Sequence, residues 1–226
     1  MNKLWIFGDS FSSEFEYNIT HGSNKNNFVQ YKERRDVDNI KTWSKILGEM
    51  LDYEVVNLAK GGYSNYQIFE DYANNCKDIQ PGDIVIIGWA LITKFRLSGP
   101  NGFINVHPNN TFEHDIVSKS SMEELVNNRR AMLWIKEVQS WEKGIKNIAS
   151  HKGYDVYFWS GEEDRFYVAS SKDYLCPDST TCLMNYLSQN GCTTIYHETD
   201  GEISDMHFGI EGQQKQAEIF YNQVKK

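Results

Sequence analysis

The chain has 226 residues, 23 Lys and Arg against 31 Asp and Glu for a formal net charge of −8, and 40% hydrophobic and 14% aromatic residues. This is the composition of one folded domain, and it excludes collagen, coiled coil and intrinsic disorder. The acidic balance leaves no basic field, and the run Lys32-Glu33-Arg34-Arg35 is broken by Glu and followed by Asp36 and Asp38, so no nucleic-acid partner is expected.

In chain order, β-type runs are predicted at Lys3 to Phe7, Glu54 to Leu58, Asp83 to Gly88, Asp155 to Trp159 and Thr193 to Tyr196. Amphipathic helices are predicted between and after them, at Thr42 to Leu51, Asn65 to Cys76, roughly Ser121 to His151, and Ile210 to Val224. In the last, Ile210, Ala217, Phe220 and Val224 share one face. This alternation predicts an α/β fold with a five-stranded parallel sheet covered by helices on both faces, and a site built from loops at the carboxyl ends of the strands.

Three polar, turn-rich segments fit neither period and read as loop insertions, at 12–39, 98–120 and 161–190. They are expected to serve as lids, binding loops or oligomer contacts. With no repeat, low-complexity tract or linker, residues 1–226 are expected to form a single domain. The oligomeric state is left open by the sequence.

No apolar stretch approaches the roughly 20 residues of a membrane span, and Met1-Asn2-Lys3 runs straight into Leu4-Trp5-Ile6-Phe7 without a signal-peptide apolar region. A cytoplasmic or virion-associated chain that does not insert into membranes is expected. The four cysteines (Cys76, Cys176, Cys182 and Cys192) contain no C-x-x-C pair, which favours reduced, structural thiols over a zinc site or a disulfide scaffold. His107 and His114, beside Glu113 and Asp115, lack a second tight ligand pair, so no metal is expected.

Three segments carry candidate chemistry. The first strand runs into Gly8-Asp9-Ser10-Phe11-Ser12. A serine there stands at the active edge, where free backbone N–H groups can receive an oxyanion, although Gly-Asp-Ser alone also reads as a turn capped by Asp9. After the second strand comes Asn57-Leu58-Ala59-Lys60-Gly61-Gly62-Tyr63-Ser64-Asn65. Its paired glycines let the backbone approach a ligand, and Ser64 or Asn65 can cap the next helix. Before the last helix lies Asp200-Gly201-Glu202-Ile203-Ser204-Asp205-Met206-His207-Phe208-Gly209. Here His207 can act as a base for a serine nucleophile, with Asp205 to fix its tautomer.

These three elements in this order resemble the SGNH, or GDSL-type, hydrolases, a family of serine esterases and acyl hydrolases. Gly8-Asp9-Ser10 is similar to the first block, Asn57 and Gly62 to the second, and Asp205 with His207 to the last. The resemblance spans residues 4 to 224 and implies a flavodoxin-like, three-layer α/β/α sandwich. It also implies Ser10 as nucleophile, His207 as base, Asp205 as its acid and an oxyanion hole at the N–H groups of Ser10 and Gly62.

The sequence departs from the family pattern twice. The position three residues before the His, usually Asp, is Ser204, so Glu202, Asp200 or a backbone carbonyl are alternatives to Asp205. The third block, Gly-x-Asn-Asp, is matched only by Gly88, because the chain continues Trp89-Ala90-Leu91. Asn65, Thr93 and Arg96 are the candidates to replace the missing Asn donor, Asn65 foremost. Trp89 and Arg96 are further candidates for substrate contact, Trp89 by walling an acyl pocket or stacking on a sugar, with a core position as the alternative.

The resemblance implies a serine hydrolase that needs no cofactor. Because the frame lacks an obvious extended apolar groove and the overhanging loops are polar and aromatic, the expected substrate is an ester of a small acyl group, such as acetyl, with a carbohydrate or other polar alcohol. An acyltransferase or thioesterase using Ser10, and a catalytically degenerate carbohydrate-binding module, are the alternatives.

Overall fold

A computed structural model of the chain describes residues 1–14, 41–90, 95–99, 102–106, 130–160, 173–176, 182–192, 194–196 and 205–225. Its central sheet contains β1 (Lys3–Phe7), β2 (Glu54–Asn57), β3 (Ile84–Trp89) and β6 (Asp155–Ser160), in the order β2-β1-β3-β6. Every pairing in it is parallel. The helices are α1 (Trp43–Leu51), α2 (Asn65–Asn75), α3 (Arg130–Lys152), α4 (Leu183–Gln189) and α5 (Ile210–Val224).

Parallel strands covered on both faces read as continuous apolar runs, and consecutive side chains enter opposite layers. Trp5, Phe7, Val85 and Ile87 pack on one face against Ile68 and Tyr72 of α2 and Ile135, Val138, Ile145 and Ala149 of α3. Leu4, Ile6, Ile84 and Ile86 pack on the other against Trp43 and Leu47 of α1, Leu183 and Leu187 of α4, and Ala217 and Phe220 of α5. The result is a three-layer α/β/α sandwich. At its amino edge, buried Asp83 accepts the Lys3 N–H at 2.8 Å, the Trp5 indole N–H at 2.9 Å and the Gln80 N–H at 3.0 Å. Three donors on one carboxylate offset the cost of burying it.

The predicted five-stranded sheet needs correction, since the described central sheet has four strands. The fifth run forms β7 (Thr194–Tyr196), which pairs antiparallel with β8 (Asp205–Phe208) in a separate two-stranded sheet. Three residues followed by His197-Glu198-Thr199-Asp200 are too short and too polar for a strand buried on both faces. The edge beside β6 is met instead by residues 173–175. Phe158 donates its N–H to the Asp173 carbonyl at 2.8 Å and accepts the Leu175 N–H at 2.7 Å, an isolated parallel bridge centred on Tyr174.

Two other elements arise inside stretches read as irregular. β4 (Phe95–Gly99) and β5 (Gly102–Val106) form an antiparallel hairpin, and α4 lies within the 161–190 segment. At the start of α4, Cys182 accepts the Asn185 N–H on Sγ at 3.4 Å. No disulfide joins the four cysteines. No described helix is long and apolar enough to cross a membrane. Residues 15–39, 100–101, 107–120, 161–172 and 177–181 of the predicted insertions lie outside the described residues, and His107, Glu113, His114 and Asp115 are among them.

Candidate active site

The strand order places β1 between β2 and β3, so the chain leaves β1 first to one side and then to the other. The carboxyl end of β1 therefore faces the crevice where open α/β sheets take ligands. Ser10 stands there. The turn holding it is wound tightly: the Ser12 and Ser13 N–H groups both donate to the Asp9 carbonyl at 3.0 Å, and buried Asp9 takes the Phe11 N–H on Oδ1 at 3.1 Å. Asp9 thus caps the turn and leaves Ser10 half-buried behind it. Two glycines make room. A Cβ on Gly8 would lie 2.4 Å from Ser12 Oγ, and one on Gly88 would lie 2.5 Å from the same oxygen and 2.6 Å from Trp159 Nε1.

The second motif fastens this turn from the side. Asn57, the last residue of β2, donates from Nδ2 to the Ser12 carbonyl at 2.8 Å and accepts the Ala59 N–H on Oδ1 at 3.0 Å. The same Nδ2 lies 3.2 Å from Glu14 Oε1. Glu14 also accepts from Thr42 and Ser44 at the start of α1 and pairs with Lys45 at 2.9 Å. A carboxylate at a helix N-terminus is favoured by the exposed N–H groups and the helix dipole. Asn57 is therefore a brace for the turn rather than a group presented to a ligand.

Gly62 is exposed and has φ +81°, a backbone that glycine adopts without strain. Next, Ser64 and Gln67 close a reciprocal cap at the start of α2. Asn65 is buried and takes both sides of the Ala90 backbone: its Oδ1 accepts the Ala90 N–H at 2.7 Å, and its Nδ2 donates to the Ala90 carbonyl at 3.0 Å. Ala90 occupies the position where Gly-x-Asn-Asp would carry its Asn. The carboxamide at that point of the sheet edge comes from α2 instead of from the strand.

At the other end of the chain, β8 carries His207 into the same region. Its ring stacks on Phe11, the residue after Ser10, with centroids 4.6 Å apart and planes 27° from parallel. The first and last motifs, 197 positions apart from Ser10 to His207 by subtraction, therefore meet at one edge. Asp205 begins β8 opposite Tyr196. Its side chain lies outside the described residues, as do Asp200, Glu202, Thr93 and the Arg96 side chain.

Trp89 requires a correction. It is 2% exposed, with its ring against Phe158 and Trp141, so it is a core residue that offers no surface for a sugar. Its indole N–H donates to Glu142 Oε1 of α3 at 2.9 Å, and the same oxygen accepts the Tyr174 hydroxyl at 2.8 Å. Burial pushes the Glu142 carboxyl above its ordinary range. The Tyr174 and Trp89 hydrogen bonds and the Lys146 charge oppose this, and Asp173 adds to it.

Sequence reasoning missed Glu142 and Gln213. Each leaves a signal in the helical period, because Glu142 falls on the Val138–Ile145 stripe of α3 and Gln213 on the Ala217–Phe220 stripe of α5. A polar residue on a buried stripe needs a buried partner.

No protein-family model matches the chain, and no curated protein matches it either. Among solved structures, the chain is similar to the Bacillus subtilis protein YxiM, with 17% identity and a TM-score of 0.44 over 99% of this chain. The chain spans 56% of the length of that protein. It is also similar to a Desulfitobacterium hafniense protein described as lipolytic and of the G-D-S-L family, with 16% identity and a TM-score of 0.38 over 99% of each chain.

Proposed function

We propose that the chain is a serine ester hydrolase of the SGNH type, acting through an acyl-enzyme on Ser10. The observation that carries this reading is the Phe11–His207 stack, which brings the turn bearing a serine and the strand bearing an imidazole to the same sheet edge. Neither motif alone would distinguish a nucleophile from a capped turn. Their meeting puts an imidazole in the neighbourhood of a serine hydroxyl, the two groups that general-base activation pairs.

In this reading Ser10 Oγ attacks the ester carbonyl while His207 takes the hydroxyl proton. The oxyanion that forms is received by the N–H groups of Ser10 and Gly62 and by the Asn65 carboxamide. Collapse breaks the bond to the alcohol, which leaves with the proton from His207. Water then attacks the acyl-enzyme with the same proton traffic, releasing the acid and restoring Ser10. Asp205 orients His207, and no cofactor takes part. The substrate class is a small acyl ester, acetyl foremost, of a carbohydrate or other polar alcohol, with Arg96 as a candidate contact. An alcohol or thiol in place of water or of the ester oxygen would make the same site an acyltransferase or thioesterase.

The presence of Ala90 where the family pattern has Asn favours one second reading, a degenerate carbohydrate-binding module. Labelling by a fluorophosphonate probe with intact-mass readout separates the two. A single adduct on the wild type, absent from Ser10→Ala and His207→Ala, is expected. A folded wild type that takes up no adduct overturns the hydrolase and leaves the binding module, which glycan binding by Ser10→Ala then tests.

A further inference from the structure

The Ser10 turn and the His207 strand belong to different motifs, and two buried side chains outside both motifs tie them together. Trp43 opens α1, is 1% exposed and is wedged edge-on between Trp159 and Phe220. Its indole N–H donates to the Phe11 carbonyl at 3.0 Å, one residue from Ser10. Its backbone N–H donates to Gln213 Oε1 at 2.7 Å. The other end of the Gln213 amide donates from Nε2 to the Phe208 carbonyl at 3.1 Å, one residue from His207. Gln213 is itself 6% exposed and sits in the first turn of α5, where its N–H bonds the Gly209 carbonyl at 3.0 Å.

These contacts form a closed circuit: Phe11 main chain, Trp43 indole, Trp43 main chain, Gln213 amide, Phe208 main chain, His207 ring and back to the Phe11 ring. A hydrogen-bonded amide inside a packed layer has little freedom to rotate, because losing either bond leaves a buried polar group unsatisfied. Gly212 completes the seat. A Cβ there would lie 2.3 Å from Phe208 Cβ, so only a bare backbone lets Phe208 settle against α5.

We propose that Trp43 and Gln213 are positioning residues that set the His207 imidazole against the Ser10 turn. This rests on the hydrolase reading above for its consequence, and on the circuit itself for its geometry. Neither side chain touches the reacting atoms. They act by fixing the carbonyls next to the two residues that do.

The test uses Trp43→Phe, which removes the indole N–H while retaining an aromatic ring, and Gln213→Met, which removes both amide bonds at similar volume. Two quantities are read on the folded proteins: the rate constant of fluorophosphonate labelling at Ser10, and the chemical shifts of the His207 ring protons, assigned with His207→Ala. The stacked Phe11 ring displaces those shifts in the wild type, and a merely structural contribution to stability would not move them.

Both variants are expected to label at least about tenfold more slowly, since a displacement of about 1 Å can cost about a hundredfold in rate. Both are expected to lose part of the His207 ring-current displacement. Folded variants with wild-type labelling and wild-type His207 shifts overturn the proposal. If the wild type itself does not label, the hydrolase reading fails and the shifts alone decide the positioning claim: lost in the variants they uphold it, unchanged they overturn it. If Gln213→Met does not fold, the same two quantities measured on Trp43→Phe decide the claim.

Discussion

Asn65 and Ala90 hold each other across the junction of α2 and β3 through two hydrogen bonds, 2.7 Å from the Ala90 N–H to Asn65 Oδ1 and 3.0 Å from Asn65 Nδ2 to the Ala90 carbonyl. An alanine at position 65 would strip both main-chain groups of their partner inside a buried site. Asn65→Ala is therefore expected to lower stability by about 2–6 kcal/mol, at about 1–3 kcal/mol for each of the two orphaned groups, as measured by urea unfolding. If the carboxamide also receives the oxyanion, the fraction still folded should label about a hundredfold more slowly, the usual effect of losing one such donor. Normal labelling of that fraction would remove Asn65 from the oxyanion hole.

Gly62 gives a cleaner test of the backbone. Its φ is +81° and nothing lies within 4 Å of a Cβ built on it, so Gly62→Ala adds strain without a collision. The expected cost is about 1–2 kcal/mol, the penalty of the left-handed region for a residue with a Cβ. Thermal unfolding reports that cost. A drop in labelling rate much larger than the stability change would place the Gly62 N–H at the reacting centre, and an unchanged rate would exclude it.

Glu142 predicts a pH dependence. Burial raises its folded-state pKa above the ordinary 4.5, so the folded chain holds this proton more tightly than the unfolded chain. Stability from this group is then fully present below the unfolded carboxylate range and is lost as pH rises through the folded value. A Glu142→Gln substitution keeps an oxygen for the Trp89 and Tyr174 donors while removing the ionisation. The expected result is that Glu142→Gln gains on the wild type as pH is raised from the ordinary carboxylate value of 4.5, read as the difference in urea midpoints. A difference that does not change as pH is raised from there would show that Glu142 does not titrate as a buried acid.

The parts of the fold written as continuous apolar runs are legible in the sequence. Leu4-Trp5-Ile6-Phe7 and Ile84-Val85-Ile86-Ile87 could only be strands covered on both faces, and the helix from Ile210 to Val224 ends where its apolar face ends. Thr193 to Tyr196 is recognisable as a strand but not its place in the fold, because β propensity over three or four residues says nothing about the partner strand. The bridge at Tyr174 has no sequence signal at all: Asp173-Tyr174-Leu175 has no period, and its position comes from contacts made by Asp173, Tyr174 and Cys176 with other layers. At the site, Ser10, Gly62 and His207 are legible as motif residues. For Trp89 the sequence leaves substrate contact and a core position as alternatives, because aromatic character does not reveal which side of a strand is covered, and its burial decides for the core. Asn57 reads as part of a ligand-facing block, whereas its amide is spent on Ser12 and Ala59.

The bridge between Phe158 and Tyr174 has a consequence for how the molecule behaves at high concentration. The outer edge of β6 would otherwise present main-chain donors and acceptors to any strand that approached it, including the same edge of another molecule. Three residues cover that edge, secured by Lys146 to Asp173 at 2.8 Å, by Glu142 to Tyr174, and by the Gln223 amide to the Cys176 main chain at 2.7 and 3.2 Å. The shield is thus attached to α3 and α5 by side chains and to β6 by two main-chain bonds. Removing those few fastenings is therefore expected to bare the β6 edge to a strand of another molecule while leaving the core contacts of the sheet in place.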